Sequence, residues 1–273
     1  MILELSDIQF GFEKSIRDNP LLQGVNLSLR KGTISALIGS NGAGKTTLLN
    51  VINGFEKRFE GTVILNGTDI SRLPSHKIAQ AGVGRMFQAP KMPRDLTLIE
   101  SLMLVSNDDC RSENPFFTFF VMRKTKQAER RKKEQAVAAL EYFFKNRPDD
   151  LQRFKDRLKD KVTDFSYGEQ RIIGFVSLLM NVMPKADTLL LLDEPTSGVN
   201  MAHIESMKEV IRDLVATQRV SVLFVEHNMK FVREMADECF FLDELTGKII
   251  KKGSPEEVLS DDNIRKNYLG YGA

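Results

Sequence analysis

Thr33-Ile34-Ser35-Ala36-Leu37-Ile38 runs directly into Gly39-Ser40-Asn41-Gly42-Ala43-Gly44-Lys45-Thr46-Thr47, and the reading of this stretch decides the fold. The first part is short, mostly apolar and stopped by glycine, which suits a buried parallel strand. The second satisfies the pattern Gly39-x-x-x-x-Gly44-Lys45-Thr46 of a P-loop. Its glycines let backbone N–H groups wrap a phosphate, Lys45 reaches the β and γ oxygens, and the Thr46 hydroxyl can ligate Mg²⁺. A helical stretch follows to about Asn53, where Asn53-Gly54 stops it. Chance would place this pattern in a chain of this length roughly once in a hundred cases. A ligand-free flexible loop is the competing reading, and the strand before and helix after argue against it.

Working outward, the chain has 273 residues, 42% hydrophobic and 28% charged, as expected of an ordinary soluble globular protein. A net charge of +2 makes no global case for nucleic acid. The two cysteines, Cys110 and Cys239, stand far apart in no metal-ligand spacing, which predicts neither disulfide nor zinc site. The acidic start, Met1-Ile2-Leu3-Glu4-Leu5-Ser6-Asp7, lacks the basic opening of a signal peptide. The longest apolar run, around Phe116–Met122, falls well short of the roughly 20 residues that span a bilayer. A cytoplasmic location is expected.

Ile2–Phe10 and Val25–Leu29 alternate as half-buried antiparallel strands do, and Thr62–Leu65 with Asn66-Gly67 reads as strand and turn. Pro90 and Pro93 open a different region, about 89–164, with helical spacing and many charges. Within it Arg123–Lys133 holds seven basic residues and one acid, read as a solvated helix face, with anionic lipid or a partner as the alternative. The Phe116–Met122 patch reads as core rather than contact surface. Beyond Ser166, strands and helices alternate again: a helix to about Met180, the strand Leu189–Asp193, a helix over Ala202–Ala216, the strand Val220–Val225, and a helix over Met229–Met235. Glu238–Asp243 and Lys248–Lys252 pair as a hairpin around Thr246-Gly247. Such alternation implies a parallel sheet covered by helices.

Three further stretches carry chemistry. Asp193 ends an apolar strand, expected beside the P-loop strand, where its carboxylate would hold Mg²⁺ through water and Thr46. Glu194 follows and can act as general base on water. His227, after Val220–Val225 and Glu226, would sit at the carboxyl edge of the sheet, within reach of a γ-phosphate. His76 and His203 read as structural. Ser166-Tyr167-Gly168-Glu169 is a capping box: Ser166 accepts from the N–H three residues on and Glu169 reaches back. A helix start can also bind an anion, and which anion this one faces is left open by the residues alone.

With the P-loop, Phe165-Ser166-Tyr167-Gly168-Glu169-Gln170-Arg171, Leu189–Gly198 and His227 in this order, the chain resembles the nucleotide-binding subunits of ABC transporters over nearly its whole length. The resemblance implies that Phe10 stacks on adenine, with Phe12 as a competing candidate. It implies that Gly39, Ser40, Asn41, Gly42, Ala43, Gly44, Lys45, Thr46 and Thr47 bind ATP, and that Gln88 contacts Mg²⁺ and water and links to the membrane subunit. Ser166, Tyr167, Gly168 and Glu169 would form the signature that meets ATP across a dimer. Ser197, Gly198, Val199 and Asn200 would be the D-loop and His227 the switch histidine; Glu194, His227, Gln88 and Lys45 would be the catalytic set, with Thr46, Gln88 and Asp193 on the metal. The signature departs from the usual Leu-Ser-Gly-Gly-Gln at Phe165, Tyr167 and Glu169. Tyr167, Glu169, Asn200, Gly84–Gln88 and the ending Asp262–Gly270 are similar to importers of branched-chain amino acids and related amides or urea.

The expected fold is therefore α/β: a RecA-like P-loop core with an antiparallel β subdomain (1–88 and 166–273) and a helical subdomain (89–165). The expected cofactors are ATP and Mg²⁺. The implied partners are transmembrane permease subunits, a second ATPase chain (same or related) and, indirectly, a periplasmic binding protein, with the chain peripheral on the inner membrane face. A lipopolysaccharide-type export ATPase is the alternative within transporters, and a soluble ABC ATPase acting on DNA or ribosomes the alternative outside them.

Overall fold

The structure, a computed structural model, describes residues 1–12, 20–88, 95–104, 118–182, 187–218 and 220–268. Along the chain these form β1 (Leu3–Gly11), β2 (Pro20–Leu29), β3 (Ile34–Ile38), α1 (Lys45–Ile52), β4 (Glu60–Leu65), β5 (Thr68–Asp69), α2 (Ser75–Gln80) and β6 (Val83–Met86). There follow α3 (Leu98–Leu104), α4 (Thr118–Phe143), α5 (Pro148–Asp156) and α6 (Tyr167–Val182). The chain continues through β7 (Leu189–Asp193), α7 (Met201–Gln218), β8 (Ser221–Val225), α8 (Met229–Met235), β9 (Glu238–Asp243), β10 (Lys248–Gly253), α9 (Pro255–Leu259) and α10 (Asp262–Tyr268). Two compact units divide it: Met1–Gln88 with Lys185–Thr196 and Asp213–Ala273, and Ala89–Pro184 with Ser197–Arg212.

The first unit holds two sheets. One is antiparallel, in the order β2-β1-β4-β5; the other runs β10-β9-β3-β8-β7-β6, parallel from β9 to β6 with β10 antiparallel at its edge. Strands β3, β7 and β8 are buried at every residue, which is why they read as mostly apolar runs rather than alternation. The position expected for β7 needs correction. It does not lie beside the P-loop strand, because β8 pairs with both and stands between them. In β1 the register shifts between Leu5 and Ile8, around Asp7 at φ 52°. The bulge moves the buried parity from Leu3 and Leu5 to Ile8 and Phe10. These side chains join one core with Leu48, Leu49 and Ile52 of α1 and Leu189, Leu191 and Leu223 of the parallel sheet.

The second unit is helical. Its centre is a chain of edge-on and tilted phenylalanine rings, with Phe143–Phe144 at 4.8 Å, Phe144–Phe154 at 4.9 Å and Phe154–Phe165 at 5.6 Å, a geometry that adds to area burial. Among the side chains described in α4, Arg130 pairs with Glu134 at 2.9 Å on an exposed face. The side chains of Phe116–Met122 and of Arg123–Lys126 lie outside the described residues, as do Pro90, Pro93, Cys110, Leu269 and Gly270.

Candidate active site

The P-loop closes around Lys45. Gly42 and Gly44 adopt φ 91° and 93°, the left-handed region that glycine enters at little cost. Lys45, 6% exposed, donates from Nζ to the carbonyls of Gly39 at 2.8 Å and Ser40 at 2.6 Å. Burial holds its ammonium below the ordinary lysine range, while Glu194, Asp193 and Glu244 pull the other way. Glu244, from the β9–β10 turn, also accepts from Ser40 Oγ at 2.7 Å.

Although β8 intervenes, Thr46 Oγ1 donates to Asp193 Oδ1 at 3.3 Å. The other carboxylate oxygen, Oδ2, accepts from Arg85 Nη2 at 2.8 Å, with side chains 5% and 1% exposed. Burial lowers the Arg85 guanidinium to about 10, against the opposing pull of Asp193. A hydroxyl and a carboxylate, both oxygen donors, suit a hard cation such as Mg²⁺, which binds through one or two carboxylates, waters and substrate phosphates.

Glu194 stands at φ 47°, a left-handed conformation that is strained for a residue with a Cβ and is found at functional sites. Its N–H donates to Val225 O at 2.9 Å, and its Oε1 lies 3.4 Å from Nε2 of His227. Glu226 holds the two loops together. Buried to 3% exposure, it accepts from the N–H and hydroxyl of Thr196 at 2.8 and 2.7 Å, and from the N–H groups of His227 and Asn228 at 3.1 and 3.3 Å. A glycine-rich loop suited to phosphate, a hydroxyl–carboxylate pair suited to a hard cation and a paired acid and histidine thus share one edge of the parallel sheet.

Residues 22–197 match the family described as ABC transporter. The chain belongs to the ABC transporter family. It is an ATP-binding cassette with ATPase chemistry. The chain is 31% identical, over 98% of both chains, to the high-affinity branched-chain amino acid transport ATP-binding protein BraF of Pseudomonas aeruginosa. It is 30% identical, over 94% of both, to the lipopolysaccharide export system ATP-binding protein LptB of Haemophilus influenzae. A crystal structure of a nucleotide-free ATP-binding cassette from an ABC transporter superposes with a TM-score of 0.76 at 25% identity, covering 100% of this chain and 99% of that one.

The cassette's other expected residues fall as follows. Phe10 is 2% exposed in the core, so its ring has no free face for a base; Phe12, at 72% exposure, does. Gln88 is exposed. In the helical unit Ser166 and Glu169 form the capping box, at 3.3 Å (Glu169 N to Ser166 Oγ) and 2.9 Å (Ser166 N to Glu169 Oε2). Gly168 is required there, because a Cβ would overlap the carbonyl oxygen of Gly198, and the Tyr167 ring lies on Gly198, itself at φ 71°. The loop Ser197–Asn200 and the start of α6 therefore pack directly on one another.

Arg85, Glu226 and Glu244 were not anticipated. Glu226, a lone acid closing an apolar strand, carried a readable signal; Arg85 and Glu244 did not, since their partners lie 108 and 204 residues away.

Proposed function

We propose that this cassette is the ATP-binding and ATP-hydrolysing subunit of an importer for branched-chain amino acids or related amides or urea. The Glu194–His227 contact, set beside Lys45 and the Thr46–Asp193 pair, is the observation that carries the catalytic reading. The substrate class rests on the likeness to BraF and on Tyr167, Glu169 and Asn200. The likeness to LptB favours a lipopolysaccharide-type exporter as the second reading.

In this mechanism the P-loop N–H groups and Lys45 hold the β- and γ-phosphates, and Phe12 stacks on the base in place of Phe10. Thr46, Asp193 and Gln88 would hold Mg²⁺, which supplies charge neutralisation on the phosphates. Glu194 accepts a proton from the attacking water while His227 orients the γ-phosphate. Ser166 and Gly168 of one chain meet the nucleotide held by another, because the P-loop of each chain already occupies its own phosphates. Closure of that dimer pulls on permease subunits through the Gln88 region and the helical unit. No helix among the described residues is long and apolar enough to cross a membrane.

Glu194→Gln tests the chemistry: turnover should fall about 10²- to 10⁴-fold with ATP binding retained and a closed dimer favoured. Hydrolysis at the parent rate would remove Glu194 from the role. For the substrate, proteoliposomes carrying the cassette with its co-purifying permease and binding protein should take up leucine or a small amide on ATP addition; lipid-export partners would overturn import.

A further inference from the structure

The signature cap and the D-loop are joined a second time, by a polar chain through α5. Asn200 is the N-cap of α7: its Oδ1 accepts from the His203 N–H at 2.9 Å, which leaves its amide Nδ2 facing His203 Nδ1, also at 2.9 Å. An amide nitrogen can only donate, so Nδ1 is the acceptor and the ring proton sits on Nε2. That nitrogen lies 3.2 Å from Asp150 Oδ2. One turn along α5, Arg153 Nη2 lies 3.4 Å from Asp150 Oδ1 and 3.3 Å from Glu169 Oε1. Glu169 Oε2 accepts from the Ser166 N–H. The histidine is 2% exposed, with the Phe144 ring edge-on at 5.6 Å. Arg147 reaches Asp150 Oδ2 at 3.9 Å, and Arg157 reaches Glu169 Oε1 at 3.8 Å.

We propose that His203 is a positioning residue: through Asp150 and Arg153 it ties the orientation of the D-loop at Asn200 to that of the signature cap at Ser166 and Glu169. The same geometry accounts for one departure from the usual signature and for the residue type at position 200. Glu169, an acid at a helix start meant to face phosphate, has its charge turned onto Arg153 and Arg157 instead. Asn200 supplies the donor that a neutral imidazole with its proton on Nε2 needs at Nδ1. Aspartate there would demand a doubly protonated ring between two carboxylates. This inference rests on the proposed pairing of two cassettes, since the signature and D-loop act there.

In the Glu194→Gln background, ATP-driven dimerisation followed by analytical ultracentrifugation should need more ATP in the His203→Ala variant, by between about 2-fold and about 100-fold. Combining His203→Ala with Glu169→Gln should shift the midpoint by less than the product of the single shifts, because both cut one chain. Shifts that multiply independently would overturn the relay. Imidazole ¹⁵N shifts at about pH 7 give a reading that simple loss of packing would not move. His203 should show a pyrrole-type Nε2 and a pyridine-type Nδ1, and Asn200→Asp should convert it to the doubly protonated ring. A parent ring protonated on Nδ1 overturns the assignment even if His203→Ala fails to fold. Should the parent not dimerise on ATP, the pairing of cassettes fails, and the relay is then judged by the same double-variant cycle in melting temperature, where additivity overturns it.

Discussion

Arg85 donates to Asp193 at 2.8 Å, and the two side chains are buried together behind the P-loop. The pair fixes the carboxylate with one oxygen toward Arg85 and the other toward Thr46. Among the described residues, the buried Nε and Nη1 of Arg85 have no hydrogen-bond partner, so beside the Phe87 ring, 5.5 Å away, this charge relies mainly on Asp193. Breaking a buried pair by removing one member leaves the other uncompensated and costs about 3–5 kcal/mol, whereas replacing both by apolar groups is often neutral. Arg85→Met should therefore lower the melting temperature by roughly 10 °C, and Arg85→Met with Asp193→Leu should recover much of it. Equal melting of the single variant and the parent would show that the pair contributes nothing.

Phe10 and Phe12 meet edge-on at 5.1 Å, one ring buried in the core and the other exposed. Phe10→Ala empties a core site and should cost about 3–5 kcal/mol of stability. Phe12→Ala removes an exposed ring and should leave melting unchanged while weakening ATP binding by about 1–3 kcal/mol, the range for a base stacked on an aromatic side chain. Calorimetric titration with an ATP analogue and a thermal melt on both variants check the crossover. The opposite pattern would return the base to Phe10.

Much of this was readable from local signals. The P-loop glycines, the Ser166 cap and the helix over Met229–Met235 are each decided by residues a few positions apart, and the structure places them where the sequence predicts. The order β3-β8-β7 was not readable, because any of several buried apolar strands could flank the P-loop strand. Resemblance names Phe10, with Phe12 beside it, for the base, but it says nothing of which ring is exposed; the bulge at Asp7, which puts Ile8 and Phe10 on the buried face, decides that. Arg85 lies on the edge strand β6, and only the pairing of β6 with β7 brings it to Asp193, 108 residues away.

Cys239 gives a pH dependence with a definite sign. Burial on β9, assisted by Glu256 and Glu238, pushes its thiol up to about 12 from 9.0. The unfolded thiol releases its proton near 9.0 while the folded one keeps it, so the folded state binds more protons between these values. The thiol's contribution to stability is complete below that window and is lost as pH rises through it. In a Cys110→Ser background, Cys239 should resist thiol reagents until the protein unfolds. From pH 9 to 10 the denaturation midpoint should fall more steeply than in a further Cys239→Ala variant. Parallel slopes would sink the argument.

The strain at Glu194 predicts an inverted substitution series. At an ordinary position glycine is less stable than alanine by about 0.5–1 kcal/mol. At φ 47° a Cβ costs roughly 1–2 kcal/mol, and Pro195 further biases the preceding residue toward extended backbone. Both variants lose the carboxylate, so both should be inactive and share the loss of the His227 contact. What separates them is the backbone alone. Glu194→Gly should therefore melt higher than Glu194→Ala, by a few degrees for a net difference of about 1 kcal/mol. A lower melting temperature for the glycine variant would mean that the acid sits in a relaxed loop, and that the left-handed turn is not what aims its carboxylate at His227.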